Sequence, residues 1–135
     1  MARKAAWLLS ILLLLNTGAL GVYNGVTELP DARTPLQQSV TVGVLIYGVL
    51  GLGATIALIA RRRLAVWLSL AWAIVVTYVA STAALAYAGS DATLSGALAG
   101  GLGAALLGLG VVWCAVVATR RAGHHDAAHA FVDSQ

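Results

Sequence analysis

A chain of 135 residues that is 60% hydrophobic and only 10% charged, against about 25% charged in an ordinary soluble domain, lacks the polar helix faces that solubility requires. Its net charge of +3 would suit nucleic acid, but the basic residues stand in short clusters beside apolar runs, which is a topology signal rather than a basic groove. The single cysteine, Cys114, excludes an intrachain disulfide and a cysteine cluster for zinc, so the composition implies one integral membrane domain.

Arg3 and Lys4 precede a charge-free run over residues 5–27, which predicts a first helix about 33 Å long. Its core from Trp7 to Leu15 also suits the apolar part of a signal peptide, with Thr17, Gly18 and Ala19 as small residues for cleavage. Apolar character that continues through Leu20, Val22 and Val26 favours an uncleaved helix. A polar connection follows, holding Glu28, Pro30, Asp31, Arg33 and Pro35. The prolines stop one helix and permit the start of the next, and Thr34 is placed to cap a second helix over 36–60.

Arg61, Arg62 and Arg63 then interrupt an uncharged sequence that extends from Thr34 to Ala60 and again from Leu64 to Ser90. One arginine at the centre of a membrane helix costs about 2.5–3.5 kcal/mol. Three together pin this point to water and join two helical hairpins. A third helix is predicted over 64–88 and a fourth over 93–119. Gly89, Ser90 and Asp91 form the turn between them, with Asp91 or Thr93 as cap. Residues 1–121 thus form the transmembrane domain, and 122–135 a short polar cytoplasmic tail.

Arg3, Lys4, Arg61, Arg62, Arg63, Arg120 and Arg121 fall on one side of this topology and only Arg33 on the other, a bias of seven to one. The expected fold is therefore all-α: an antiparallel bundle of four transmembrane helices, multi-pass, with both termini cytoplasmic. Arginine outnumbering lysine, with abundant Ala and Gly, would suit a GC-rich bacterial genome and hence an inner membrane. Trp7, Trp67, Trp72 and Trp113 fall toward the cytoplasmic ends and Tyr23 and Tyr87 toward the outer ends, an aromatic-belt pattern. A faint repeat relates the hairpins: Leu50-Gly51-Leu52-Gly53 returns as Leu107-Gly108-Leu109-Gly110, as a parallel duplication would require.

In lipid, helices gain nothing hydrophobic by meeting, so small residues that allow close approach mark the contact faces. Four-residue spacing picks out Gly96, Gly100, Ala104 and Gly108 in the fourth helix, Ser69, Ala73, Thr77 and Ser81 in the third, and Thr17, Gly21 and Gly25 in the first. Asn16 and Asn24, eight residues apart and nearly on one face, are the most polar side chains inside a span. Together with Thr17 and Tyr23 they would line a polar pocket; alternatively their carboxamides make interhelical hydrogen bonds, since unsatisfied polar groups are costly in hydrocarbon.

No Asp, Glu, Lys, Arg or His lies inside a predicted span, where ion-coupled transporters and proton relays place one. The small multidrug-resistance transporters share this size and helix count but rely on an acidic residue inside their first helix, and residues 5–27 hold none. Buried haem lacks an intramembrane His, and no catalytic arrangement of Ser, His and Asp or of paired carboxylates is visible. We therefore expect neither an enzyme nor a cofactor. His125 and His129, four apart in the tail, are a weak metal-binding pair. The arginine clusters at 61–63 and 120–121 are expected at anionic lipid headgroups.

The expected role is a non-catalytic membrane protein acting through helix–helix association, as an accessory subunit or a homo-oligomer. Its partners would be membrane lipids and itself or another membrane protein, not nucleic acid. The alternatives are an oligomeric channel or carrier for a neutral solute, and a lipid or quinone site using Trp72, Tyr78 or Tyr87.

Overall fold

The computed structural model describes residues 2–60, 62–87 and 94–119. Among them the structure is all-helical, with no strand. The helices are α1 (Ala2–Glu28), α2 (Pro35–Ile59), α3 (Leu64–Tyr87) and α4 (Leu94–Thr119), with a single 3-10 turn at Leu29–Asp31 between the first two. All four are long and apolar enough to cross a membrane, as expected of a multi-pass membrane protein. α1 begins ahead of its predicted start because Arg3 and Lys4, though charged, are good helix formers. The turn at 89–91, its caps Asp91 and Thr93, Arg61, Arg120, Arg121, His125, His129 and the rest of the tail lie outside the described residues.

The two described loops explain themselves locally. Pro35 occupies the first turn of α2, where its missing N–H is no loss. Thr34 Oγ1 accepts from Gln37 N at 3.1 Å, while Gln37 Oε1 accepts from Thr34 N at 3.2 Å, a reciprocal capping box. At the other end α2 closes through Ala60 N to Ile56 O at 2.9 Å and Arg62 N to Ala57 O at 3.0 Å. Arg62 and Arg63 are exposed there, and their carbonyls start α3 by accepting from Ala65 and Val66.

Consecutive helices pack antiparallel along three seams. Between α1 and α2 the backbones themselves meet: a methyl group at Gly48 would lie 2.5 Å from Val22 N, and one at Gly21 would lie 2.8 Å from Gly48 Cα. Gly18 and Gly25 similarly face Leu52 and Leu45. Between α3 and α4, Gly108 faces Ala73, Gly101 faces Ser81, and Gly100 approaches the Ala80 carbonyl. The α2–α3 seam is lined by larger groups, with Gly51 under Trp72 and Gly43 under Val79. α1 and α4 touch only sparingly.

All four helices do meet at the end bearing Arg62 and Arg63, here the arginine end. Ile11 and Leu14 of α1, Ala54, Ala57 and Leu58 of α2, Ala65, Trp72 and Ala73 of α3, and Val111 and Ala115 of α4 form one continuous core. Around and beyond this core large apolar side chains such as Leu9, Ile56, Ile74 and Leu106 point outward. A surface apolar all round is what lipid tolerates and water does not.

Candidate functional site

Three features of the fold are candidates for function. The first is an open pocket of about 110 Å³ at the opposite, proline end, lined by Glu28, Asp31, Ala32, Gln37 and Tyr87. It is framed by hydrogen bonds between α2 and α3. Thr41 Oγ1 lies 3.2 Å from Tyr87 Oη, Ser39 Oγ 3.1 Å from Tyr78 Oη, and Gln37 Nε2 donates to Ala86 O at 3.4 Å. Thr41 and Ser39 already donate to carbonyls of their own helix, so the tyrosine hydroxyls are the donors across the seam. Their positions in sequence gave no sign of this pairing, because tyrosines near a helix end also suit a membrane interface.

The second lies in the core. Trp72 is 1% exposed and among the described residues its Nε1 has no hydrogen-bond partner; the same holds for Ser69 Oγ, one turn earlier on the same face. Ser69 is unusual in this. Ser10, Thr17, Thr55, Thr77, Ser81 and Thr119 each donate to the carbonyl four residues back. Trp72 therefore departs from the belt position expected for it, whereas Trp67 and Trp113 are each 69% exposed. The physical reason is its face: Ala65, Ser69 and Ala73 beside it and Gly51 opposite leave room for the indole.

The third is the outward surface. It bears the residues singled out for a polar pocket. Asn16 and Tyr23 are exposed, Thr17 and Asn24 are half-buried, and none of the four lines the pocket at the proline end. Thr17 instead bonds Leu13 O at 2.7 Å within its own helix.

The small-residue positions divide similarly. Gly21 and Gly25 lie in the α1–α2 seam, joined there by Gly18. Ser69 and Ala73 are buried, and Thr77, Ser81 and Ala104 half-buried. Gly108 lies in the α3–α4 seam, Gly100 is exposed on one side but close to Ala80 on the other, and Gly96 is exposed. The buried line along α4 runs through Ala97, Gly101, Gly108, Val111, Ala115 and Thr119, in steps of four, seven, three, four and four rather than four throughout, because 3.6 residues per turn carry a strict four-residue ridge off the seam.

Among the described residues, no three His, Cys, Asp or Glu side chains converge to hold a metal, and Cys114 is a half-buried free thiol in α4. Compared with protein-family models, with curated proteins and with solved structures, the chain matches none significantly.

Proposed function

We propose that this is a small non-catalytic membrane component that works through helix–helix association, as an accessory subunit of a larger membrane complex or as a homo-oligomer. The observation that carries this reading is the outward face of α4. Among the described residues, Gly103 and Gly110 have nothing within 4 Å of where a Cβ would stand. They are aligned with exposed Ala99, Leu106 and Trp113 at heptad spacing. A glycine inside a helix costs roughly 0.5–1 kcal/mol relative to alanine. Gly48 and Gly108 have a close neighbour that justifies this; among the described residues of one copy, Gly103 and Gly110 do not. A helix approaching from outside would use the groove they leave.

The same reading places the arginine end and both termini on the cytoplasmic side of a bacterial inner membrane, on the positive-inside bias, with Arg62 and Arg63 at the headgroups. Gentle solubilisation followed by mass measurement tests the association: a defined oligomer or a co-purifying membrane protein is expected, and lone monomers throughout would remove the reading. For orientation, a thiol placed by Arg62→Cys in a Cys114→Ala background should be shielded from impermeant reagents added outside intact cells.

A further inference from the structure

α1 carries two lines of residues along its length. Ile11, Leu14, Gly18, Gly21 and Gly25 are buried inside the fold. On the opposite side Leu9, Leu12, Asn16, Ala19, Tyr23 and Val26 are all exposed. Their steps alternate between three and four, the repeat of a helix–helix seam. One member does not belong on a lipid-facing surface. Asn16 lies twelve residues from Lys4 and twelve from Glu28, the nearest charges on either side along α1.

Twelve residues of helix measure about 18 Å, more than half of a hydrocarbon layer about 30 Å thick. Water at neither face reaches that depth. The Asn16 carboxamide makes no hydrogen bond to any described residue. A carboxamide left unpaired in hydrocarbon is strongly unfavourable, so something outside the monomer must pair with it.

The chemistry of the group narrows what that is. A carboxamide is donor and acceptor at once and is therefore its own complement. The seam around it holds no charge that would call for an oppositely charged partner, and Ala19 allows close approach. Two copies inserted with the same topology present α1 parallel and at equal depth, so Asn16 meets Asn16 with no change of register. A single Asn in a heptad seam fixes such parallel pairing, and a twofold contact uses the same patch on both copies.

We propose that a second copy of this chain docks on the outward face of α1, each Asn16 donating Nδ2 to the other's Oδ1. The proposal rests on the association reading above, names a partner for it, and adds a second contact face on α1 beside the α4 groove.

The test uses the full chain reconstituted in phosphatidylglycerol and phosphatidylethanolamine vesicles, with single thiols in a Cys114→Ala background. Leu12→Cys and Ala19→Cys should form disulfide-linked dimers on oxidation, while Ile74→Cys on the outward face of α3 should not. Asn16→Leu should raise the dimer dissociation constant about tenfold, and Asn16→Gln should recover most of the loss. Asn16 faces outward, so in a detergent that dissociates the dimer the thermal unfolding of the Leu variant should match the wild type and separate lost pairing from lost fold.

A dimer unaffected by Asn16→Leu would overturn the proposal. So would cross-linking only at Leu106→Cys on the outward face of α4, which would leave association standing but confine it to α4. A wild-type monomer bound to a different membrane protein overturns the second copy and keeps the association reading; a monomer with no partner removes both.

Discussion

The two ends of this fold hold their helices together by different means. At the arginine end all four helices close on Trp72, Leu14 and Leu58, each buried, and the joint is apolar packing. At the proline end α2 and α3 are tied by the hydroxyls of Tyr78 and Tyr87 reaching Ser39 and Thr41, beside a pocket that opens outward. The contrast follows from what lipid rewards. Apolar side chains gain little by leaving lipid, so a core there must owe its strength to dense packing. Hydrogen bonds between helices add direction where packing is thinner, though each contributes little.

If packing at the arginine end dominates stability, Trp72→Ala should produce the largest loss, about 3 kcal/mol, read as a lowered midpoint of unfolding in detergent. Trp67→Ala and Trp113→Ala remove the same side chain from exposed positions and should change the midpoint by no more than about 0.5 kcal/mol. Equal losses at all three would mean that Trp72 is no keystone. The hydroxyl of Ser69 supplies a finer probe of the same core. Because its Oγ has no partner among the described residues, Ser69→Ala should be neutral or stabilising, and a clear loss of stability would show that the hydroxyl is satisfied after all.

Next in size is the backbone contact that connects the two ends. Gly48→Ala places a methyl group against Val22 N and Gly21 and should cost about 2 kcal/mol through overpacking. Gly103→Ala meets nothing within one copy and should stabilise an isolated monomer by roughly 0.5 kcal/mol. In the assembled protein the sign at position 103 should reverse if a partner helix occupies that face. Measuring both variants in dissociating and in mild detergent compares intramolecular with intermolecular packing directly.

How far the sequence reveals all this depends on the residue. The four helices were legible because charge is confined to their ends, and the first loop because Pro35 and Thr34 carry explicit start signals. The rotation of each helix was not. In a helix apolar on every side, hydrophobicity has no direction, and one residue of error turns a face by about 100°. Four-residue spacing therefore passes over Gly18 beside Thr17, and in α4 it misses buried Ala97 and Gly101 beside Gly96 and Gly100. Trp72 was assigned to the interface for the same reason. Asn16 was conspicuous as a polar residue, but only the packing of α1 on α2 indicates that it faces outward.

A similarly small effect tests the proline end most directly. Thr41 is fully buried, donates to Gln37 O, and accepts from a tyrosine whose ring is half exposed. Thr41→Val keeps the shape and removes the acceptor; Tyr87→Phe keeps the ring and removes the donor. Each alone leaves one polar atom unpaired, so the single losses overstate the bond, and only the double-mutant cycle isolates it. Interhelical hydrogen bonds in membranes couple by about 0.6 kcal/mol on average, and we expect a coupling of that size here. A coupling near zero would mean that water at the mouth of the pocket already serves both hydroxyls, leaving Gly43 against Val79 to hold α2 to α3 at this end. A coupling above about 1.5 kcal/mol would exceed nearly all such pairs and imply that the proline end is as dry as the core.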